Sequence, residues 1–209
     1  MNEPIATDYG YSDSQASHTH AYLWKPVVVE IESTSLLSGA GVFDLGCGNG
    51  AFARHLKDLG YPITGVDPSE DGIALAKKAD PDLRLFHGNA YEPLAEVYGK
   101  FPVVVSLEVV EHVYYPRKFA KSVAELLEPG GKAIISTPYH SYLKNLALAL
   151  SGKMDGHFTA LWDHGHIKFW SVKTLTELFA EQGMTVEKVL RVGRIPILGM
   201  SMIIVFRKH

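Results

Sequence analysis

The chain has 209 residues, 46% of them hydrophobic and 21% charged, which is the make-up of an ordinary globular protein and argues against a disordered or fibrous one. Lys and Arg total 20 and Asp and Glu 23, so the formal charge of −3 gives no global attraction for nucleic acid or an anionic membrane. A single cysteine, Cys47, excludes an internal disulfide and a cysteine-rich zinc module.

The first 20 residues are rich in Ser, Asp, Tyr and His without any period and read as a flexible arm. Met1 to Ser17 lacks the positive-then-apolar pattern of a secretory signal. From Ala21 the chain turns amphipathic, and Pro26 suits the first turn of a helix running towards Leu37. Val42-Phe43-Asp44-Leu45 is a short apolar run ending at a glycine cluster, as a buried strand does. Phe52, Leu56 and Leu59 follow at helical spacing, and Gly60 supplies the stop. Ile63–Val66 is the next strand, closed by Asp67. Ser69 can cap a helix through Ala79, and Leu83–Phe86 alternates like a third strand. Phe101–Leu107 is nearly all apolar, as a central parallel strand covered on both faces should be. Pro116 begins a helix with the stripe Phe119, Val123, Leu126 and Leu127, Pro129-Gly130-Gly131 ends it, and Lys132–Thr137 is a fifth strand.

Beyond this point the pattern changes. Leu143, Leu146, Ala147 and Leu150 make an amphipathic pair of turns that reads as packing in preference to membrane docking. Ser171 caps a helix carrying Leu175, Leu178 and Phe179, stopped by Gly183. Thr185–Val192 and Met200–Arg207 read as two strands joined by Gly193–Gly199, a link too short for a parallel crossover, so the pair should be antiparallel. The longest apolar stretches, around Leu146–Leu150 and Ile195–Phe206, are short or broken by Pro196, Gly199 and Ser201, and nothing is expected to span a bilayer. Strands alternating with helices imply an α/β, doubly wound, mostly parallel sheet with a C-terminal antiparallel hairpin. The expectation is one soluble, cytoplasmic domain over 1–209, with 1–38 as arm and helix and 139–169 as an insert.

Asp44-Leu45-Gly46-Cys47-Gly48-Asn49-Gly50 follows the first strand and opens a helix. Glycines there let a ligand approach the backbone, and the helix N-terminus offers free N–H groups. The spacing is G-x-G-x-G and not the G-x-G-x-x-G of a dinucleotide pyrophosphate site, which disfavours a nicotinamide oxidoreductase. Asp67, 17 residues past Gly50, stands at a strand end where a carboxylate can accept both hydroxyls of a ribose; a plain capping or turn role is the other reading.

The ordered set of that loop, Gly65-Val66-Asp67-Pro68-Ser69, Ser106-Leu107-Glu108-Val109-Val110-Glu111-His112 and Pro129-Gly130-Gly131 resembles a class I S-adenosylmethionine-dependent methyltransferase, Rossmann-like and seven-stranded. More narrowly it is similar to the ubiquinone-biosynthesis O-methyltransferase type, over roughly Val42 to Phe206. The resemblance implies that Asp44, Gly46 and Gly48 hold the methionyl end of the cofactor, partly through water. It places Asp67 on the ribose, Pro68 and Ser69 beside the adenine, and Asn89-Ala90 at the adenine edge, although the family often has Asp at the position of Asn89. Leu107 and Glu108 would pass their backbone near the sulfonium. Cys47 reads as a small loop residue, since methyl transfer needs no covalent intermediate.

Glu108, Glu111 and His112 stand at i, i+3 and i+4. If the segment turns helically, all three point to one side of the cleft. The small-RNA 2′-O-methyltransferases, and some of the ubiquinone type, show a similar E-x-x-E-H with a histidine downstream, and Asp163-His164-Gly165-His166 before Phe169-Trp170-Ser171 resembles that segment, with His166 in the ligand position. Three readings stay open. His112 is a general base without metal, helped by Glu111; Glu108, Glu111, His112 and His166 bind Mg²⁺, Mn²⁺ or Zn²⁺; or Glu111 and His112 merely cap local backbone. His140, His157 and His164 read as surface or cleft-rim residues. Aromatics of the arm and first helix (Tyr9, Tyr11, Tyr22, Trp24) and of the insert (Phe158, Trp162) form either a lid or, for the two tryptophans, ordinary core anchors.

The expectation is O-methylation of a small hydroxylated molecule. A non-catalytic cofactor-binding partner protein, or an N- or C-methyltransferase, is the alternative. Methylation of RNA is disfavoured by the charge and the absence of a basic run.

Overall fold

The computed structural model describes residues 11, 13–15, 21–34, 41–158, 160–162, 165–193 and 199–209. Tyr9, Leu37, Asp163, His164, Pro196 and most of the flexible-arm expectation lie outside these described residues.

Seven strands form one sheet: β1 (Val42–Leu45), β2 (Ile63–Asp67), β3 (Arg84–His87), β4 (Phe101–Leu107), β5 (Leu127–Pro138), β6 (Met184–Val192) and β7 (Ser201–Lys208), in the order β3-β2-β1-β4-β5-β7-β6. The first five run parallel. β7 is antiparallel to both β5 and β6, as the short link between the last two strands requires. The chain moves outward from β1 through β3 and returns on the other side of β1 with β4. The order therefore reverses between β1 and β4, and a cleft opens at their carboxyl ends.

The period of two along β4 separates two cores. Val104 joins Phe43, Phe119, Phe179 and Phe206 on one face, while Val103 and Val105 join Leu56, Ile203 and Val205 on the other. Helix α1 (Ala21–Glu32) covers the second face through Leu23, Val27 and Ile31, all fully buried. Pro26 lies inside this helix and not in its first turn. A mid-helix proline costs about 3 kcal/mol, and burial of three such side chains at about 1.5–3 kcal/mol each offsets it. Helices α2 (Ala51–Asp58), α3 (Glu70–Ala79) and α5 (Pro116–Leu126) follow their sequence signals closely. Ser69 caps α3 by accepting from Gly72 N. Leu59, expected on the buried stripe of α2, is 49% exposed at the C-cap.

Three elements depart from the sequence expectation. Helix α4 (Leu94–Tyr98) has no sequence signal, because five residues are too few to show a period. β5 begins at Leu127, through the Pro129-Gly130-Gly131 stop, because Leu127 already pairs with Phe101 across a register shift. In the insert, α6 (Tyr142–Leu150) buries no residue: Leu143, Leu146 and Leu150 are 63%, 55% and 81% exposed, which overturns the packing expectation. Helix α7 (Met154–Phe158) follows, and α8 (Val172–Ala180) closes the fold with a capping box between Ser171 and Thr174. Among the described residues, no helix is long and apolar enough to cross a membrane.

Candidate active site

The glycine loop after β1 forms the floor of the cleft. Gly46 and Gly48 have φ of 89° and 53°, and a Cβ would meet Val109 at 2.4 Å and the Tyr11 hydroxyl at 2.4 Å respectively. Only glycine serves where positive φ and a filled neighbourhood coincide. Asp44, Gly46, Gly48, Asp67, Pro68, Asn89, Ala90 and Leu107 all line this one cleft, together with Glu108 and His112.

Asp67 is almost fully buried. Its Oδ2 accepts from Gly48 N at 2.8 Å and its Oδ1 from Ser69 N at 2.8 Å. The carboxylate thus fixes the glycine loop against the start of α3, so a turn role and a place in the cleft coexist. Each oxygen keeps a further acceptor site for a ligand hydroxyl. Burial raises its pKa against the pull of those two amides. Asp44 is raised to about 7, by burial first and by Asp67 second. Burial, with Asp44 and Asp67 beside it, also pushes the Cys47 thiol up, the opposite of an activated nucleophile. Asn89 lines the cleft, but its side chain shapes its own turn: Oδ1 accepts from Tyr91 N at 2.8 Å and Nδ2 donates to Glu92 at 2.6 Å.

The arm reaches this loop. Asn49 Nδ2 donates to Asp13 O and Gln15 O at 2.9 Å each, Arg54 donates to Ser14 O, and Tyr11 stands on the cleft wall. Trp24 also lines the cleft while stacking on His55 at 4.8 Å, so it is anchor and wall at once. Tyr22 is not among the described residues on this cleft wall; its hydroxyl is 3.0 Å from Ser201 Oγ, and burial, with Glu108 and Glu111 nearby, raises its pKa.

The acids after β4 do not form one helical face. Glu108 has φ of 56°, the left-handed region, and only a single turn follows, closed by His112 N to Val109 O at 2.9 Å. Glu108 is thereby left out of the group that Glu111 and His112 form, although it stays near enough to Glu111 to raise that carboxyl's pKa. Its Oε1 accepts from Ser136 at 2.7 Å and its Oε2 from Ser201 at 3.2 Å, and burial raises its pKa to about 7. The expected four-ligand set is therefore not assembled with Glu108.

Glu111, His112 and His166 do converge, with one potential ligand atom from each within 4.8 Å of the others. Glu111 is 1% exposed, and neither carboxylate oxygen has a partner in hydrogen-bond geometry, although the Thr137 hydroxyl lies near enough to pull its pKa down and His166 Nε2 stands 4.0 Å from Oε1. Burial first and Glu108 second raise its pKa well above the usual range. His166 is lowered to about 4 by burial and by the nearby His112, which keeps its ring neutral. The two imidazoles meet edge to face at 4.9 Å, and Trp162, 42% exposed and no core anchor, packs its edge on both. His140 and His157, both half-buried, belong to a neighbouring aromatic group with Phe158 and the half-exposed Phe169.

The sequence did not single out the groups that hold this centre together. Trp170 Nε1 donates to Val110 O at 3.0 Å, and Ile167 N and Lys168 N both donate to Glu111 O at 3.0 Å, which clamps the end of the insert to the turn. Ser136, Ser201 and Tyr91 likewise carry no sequence signal, because their partners lie far along the chain.

A methyltransferase-domain family model matches residues 17–189. The ubiquinone biosynthesis O-methyltransferase of Caulobacter sp. strain K31 is 41% identical over 118 residues, 54% of this chain and 46% of that protein, so the match spans about half the relative's length. The enzyme of that name from Coxiella burnetii strain Dugway 5J108-111 is 30% identical over 166 residues, 78% of this chain and 70% of that protein. The fold is also that of magnesium protoporphyrin IX methyltransferase from Synechocystis PCC 6803, solved with bound SAH, at TM-score 0.69 and 17% identity over 90% of this chain and 82% of that one. The glycine loop, the acid at the end of β2 and the reversed final hairpin have their common explanation here: this chain belongs to the S-adenosylmethionine-dependent methyltransferase family.

Proposed function

We propose that this protein transfers the methyl group of S-adenosylmethionine to a hydroxyl of a small molecule, acting over residues 1–209 as one domain, and that Glu111, His112 and His166 hold a divalent cation. The observation that carries the cation is the buried Glu111 carboxyl with two unpartnered oxygens, facing two imidazoles. A buried, unpaired carboxylate is costly, and a cation of the Mg²⁺, Mn²⁺ or Zn²⁺ kind relieves that cost. A neutral His166 is in the protonation state a ligand needs. Such an ion supplies Lewis acidity that lowers the pKa of an acceptor hydroxyl.

The sulfonium methyl is already activated, so the protein's own work is alignment and exclusion of water. In this reading Asp67 and the glycine loop orient the nucleoside and methionyl ends of the cofactor. The backbone of Leu107 and Glu108 sets the depth of the methyl group. His112 faces the acceptor from the far wall. A second reading has one observation in its favour: of the three converging residues, only His112 lines the cleft among the described residues, where it can take the hydroxyl proton as a general base.

Hydroxylated intermediates of ubiquinone biosynthesis are the first acceptors to assay, since relatives carry that name. Activity abolished by chelator and restored by one metal is the expected result. His166→Ala should raise the metal concentration required by at least about tenfold while excess metal rescues turnover. Full activity in chelator removes the cation and leaves His112 as base. Cofactor binding without methylation of any hydroxyl, amine or carbon acceptor would support a non-catalytic partner role.

A further inference from the structure

The turn that carries His112 is tied to the adenine side of the cleft by one side chain. Tyr91 follows Asn89 and Ala90 on the cleft wall. Its phenol oxygen accepts from two consecutive amides, Tyr114 N at 3.0 Å and Tyr115 N at 3.3 Å. Those amides precede Pro116 at the start of α5, where Tyr115, the N-cap residue, offers no side-chain cap of its own. The Tyr91 ring also packs edge-on against Tyr115 at 5.6 Å. At its own end Tyr91 is held by the turn in which its N–H bonds Asn89 Oδ1 at 2.8 Å, two residues beyond β3.

We propose that Tyr91 is a positioning residue that couples occupancy of the cofactor cleft to the order of the Glu111–Tyr115 turn. This rests on the reading of the cleft as a cofactor site. A ligand seated against Asn89 and Ala90 restrains the turn they form. The turn restrains the Tyr91 ring, and the phenol oxygen then holds two amides next to His112. A cap that only stabilised α5 would hold those amides equally with the cleft empty or full. The kinetic consequence is order of binding: cofactor first, then acceptor at a turn already set.

The test needs no acceptor. Amide exchange at Tyr114 and Tyr115 is followed by NMR with and without saturating S-adenosylhomocysteine, in wild type and in Tyr91→Phe, which keeps the ring and removes the oxygen. In wild type the ligand should slow exchange at both amides by at least about fivefold, the equivalent of firming one ordinary hydrogen bond. In Tyr91→Phe that slowing should vanish, while β4 and β5 stay protected and report an intact fold. Equal ligand-induced slowing in both proteins overturns the proposal. So does protection confined to Asp44–Ser69 in wild type. If S-adenosylhomocysteine protects nothing in either protein, the cofactor reading falls with it.

Discussion

Replacing Asp67 by alanine removes a carboxylate that serves the loop and, in the proposed function, the ribose. Each oxygen accepts one backbone amide at 2.8 Å and has a second acceptor site left for a hydroxyl. Hydrogen bonds to a charged group contribute about 1.5–3 kcal/mol when lost, and solvent entering the vacated space recovers part of that. A net loss of about 1–3 kcal/mol in cofactor binding corresponds to a Kd roughly 5–150-fold weaker. Stability should respond less. The amides of Gly48 and Ser69 lose their partner, but burial already disfavours the charged carboxylate, as its raised pKa shows. The two effects oppose, so thermal unfolding of the unliganded variant should move by only a few degrees while affinity falls by an order of magnitude. Calorimetry with S-adenosylhomocysteine measures the affinity and a thermal scan the stability. An unchanged Kd in a folded Asp67→Ala protein removes Asp67 from the ribose site and leaves it as a loop fastener alone.

The arm makes a separate prediction. S-adenosylhomocysteine should slow exchange over Tyr11–Gln15, and Arg54→Ala should weaken that protection, because Asn49 and Arg54 fasten the arm to the glycine loop. Unchanged exchange there would show that the arm does not close over the cofactor. Asp44 sets a pH dependence. Its folded pKa of about 7 lies above the ordinary value, so its stability contribution is complete below about pH 4 and is lost as pH rises through about 7. Asp44→Asn should therefore gain a few kcal/mol of stability relative to wild type between about pH 4.5 and about pH 7.5, measured by urea titration at a series of pH values. Comparing the two proteins cancels the opposite slope from His140 and His166, both lowered to about 4. In the insert, Leu146→Ser should change stability by less than about 0.5 kcal/mol because the side chain is 55% exposed. Leu126→Ala, from a fully buried position, should cost about 2–5 kcal/mol by chemical denaturation.

Local order along the chain was enough for most of the fold and for the residues that meet in the cleft after β1 and β2. Strand and helix periods, the caps Ser69 and Ser171, and the glycines after β1 each depend on neighbours within a few residues, and the link between β6 and β7 is short enough to force an antiparallel pair. The cleft residues from Asp44 to Asp67 were legible for the same reason, since they sit where two strands end. What only the tertiary structure decided depends on partners far apart in sequence. Spacing grouped Glu108 with Glu111 and His112, yet the left-handed φ of Glu108 and its bonds to Ser136 and Ser201, 28 and 93 residues away, engage its carboxylate and leave it out of the converging group. His166 reaches Glu111 because Trp170 and the amides of Ile167 and Lys168 clamp the insert to the turn, with Trp170 bonding across 60 residues. The amphipathic period of α6 predicted burial, but a period reports only that one face is apolar. Whether another element covers that face is settled by the packing of the whole chain, and among the described residues it leaves Leu143, Leu146 and Leu150 in solvent.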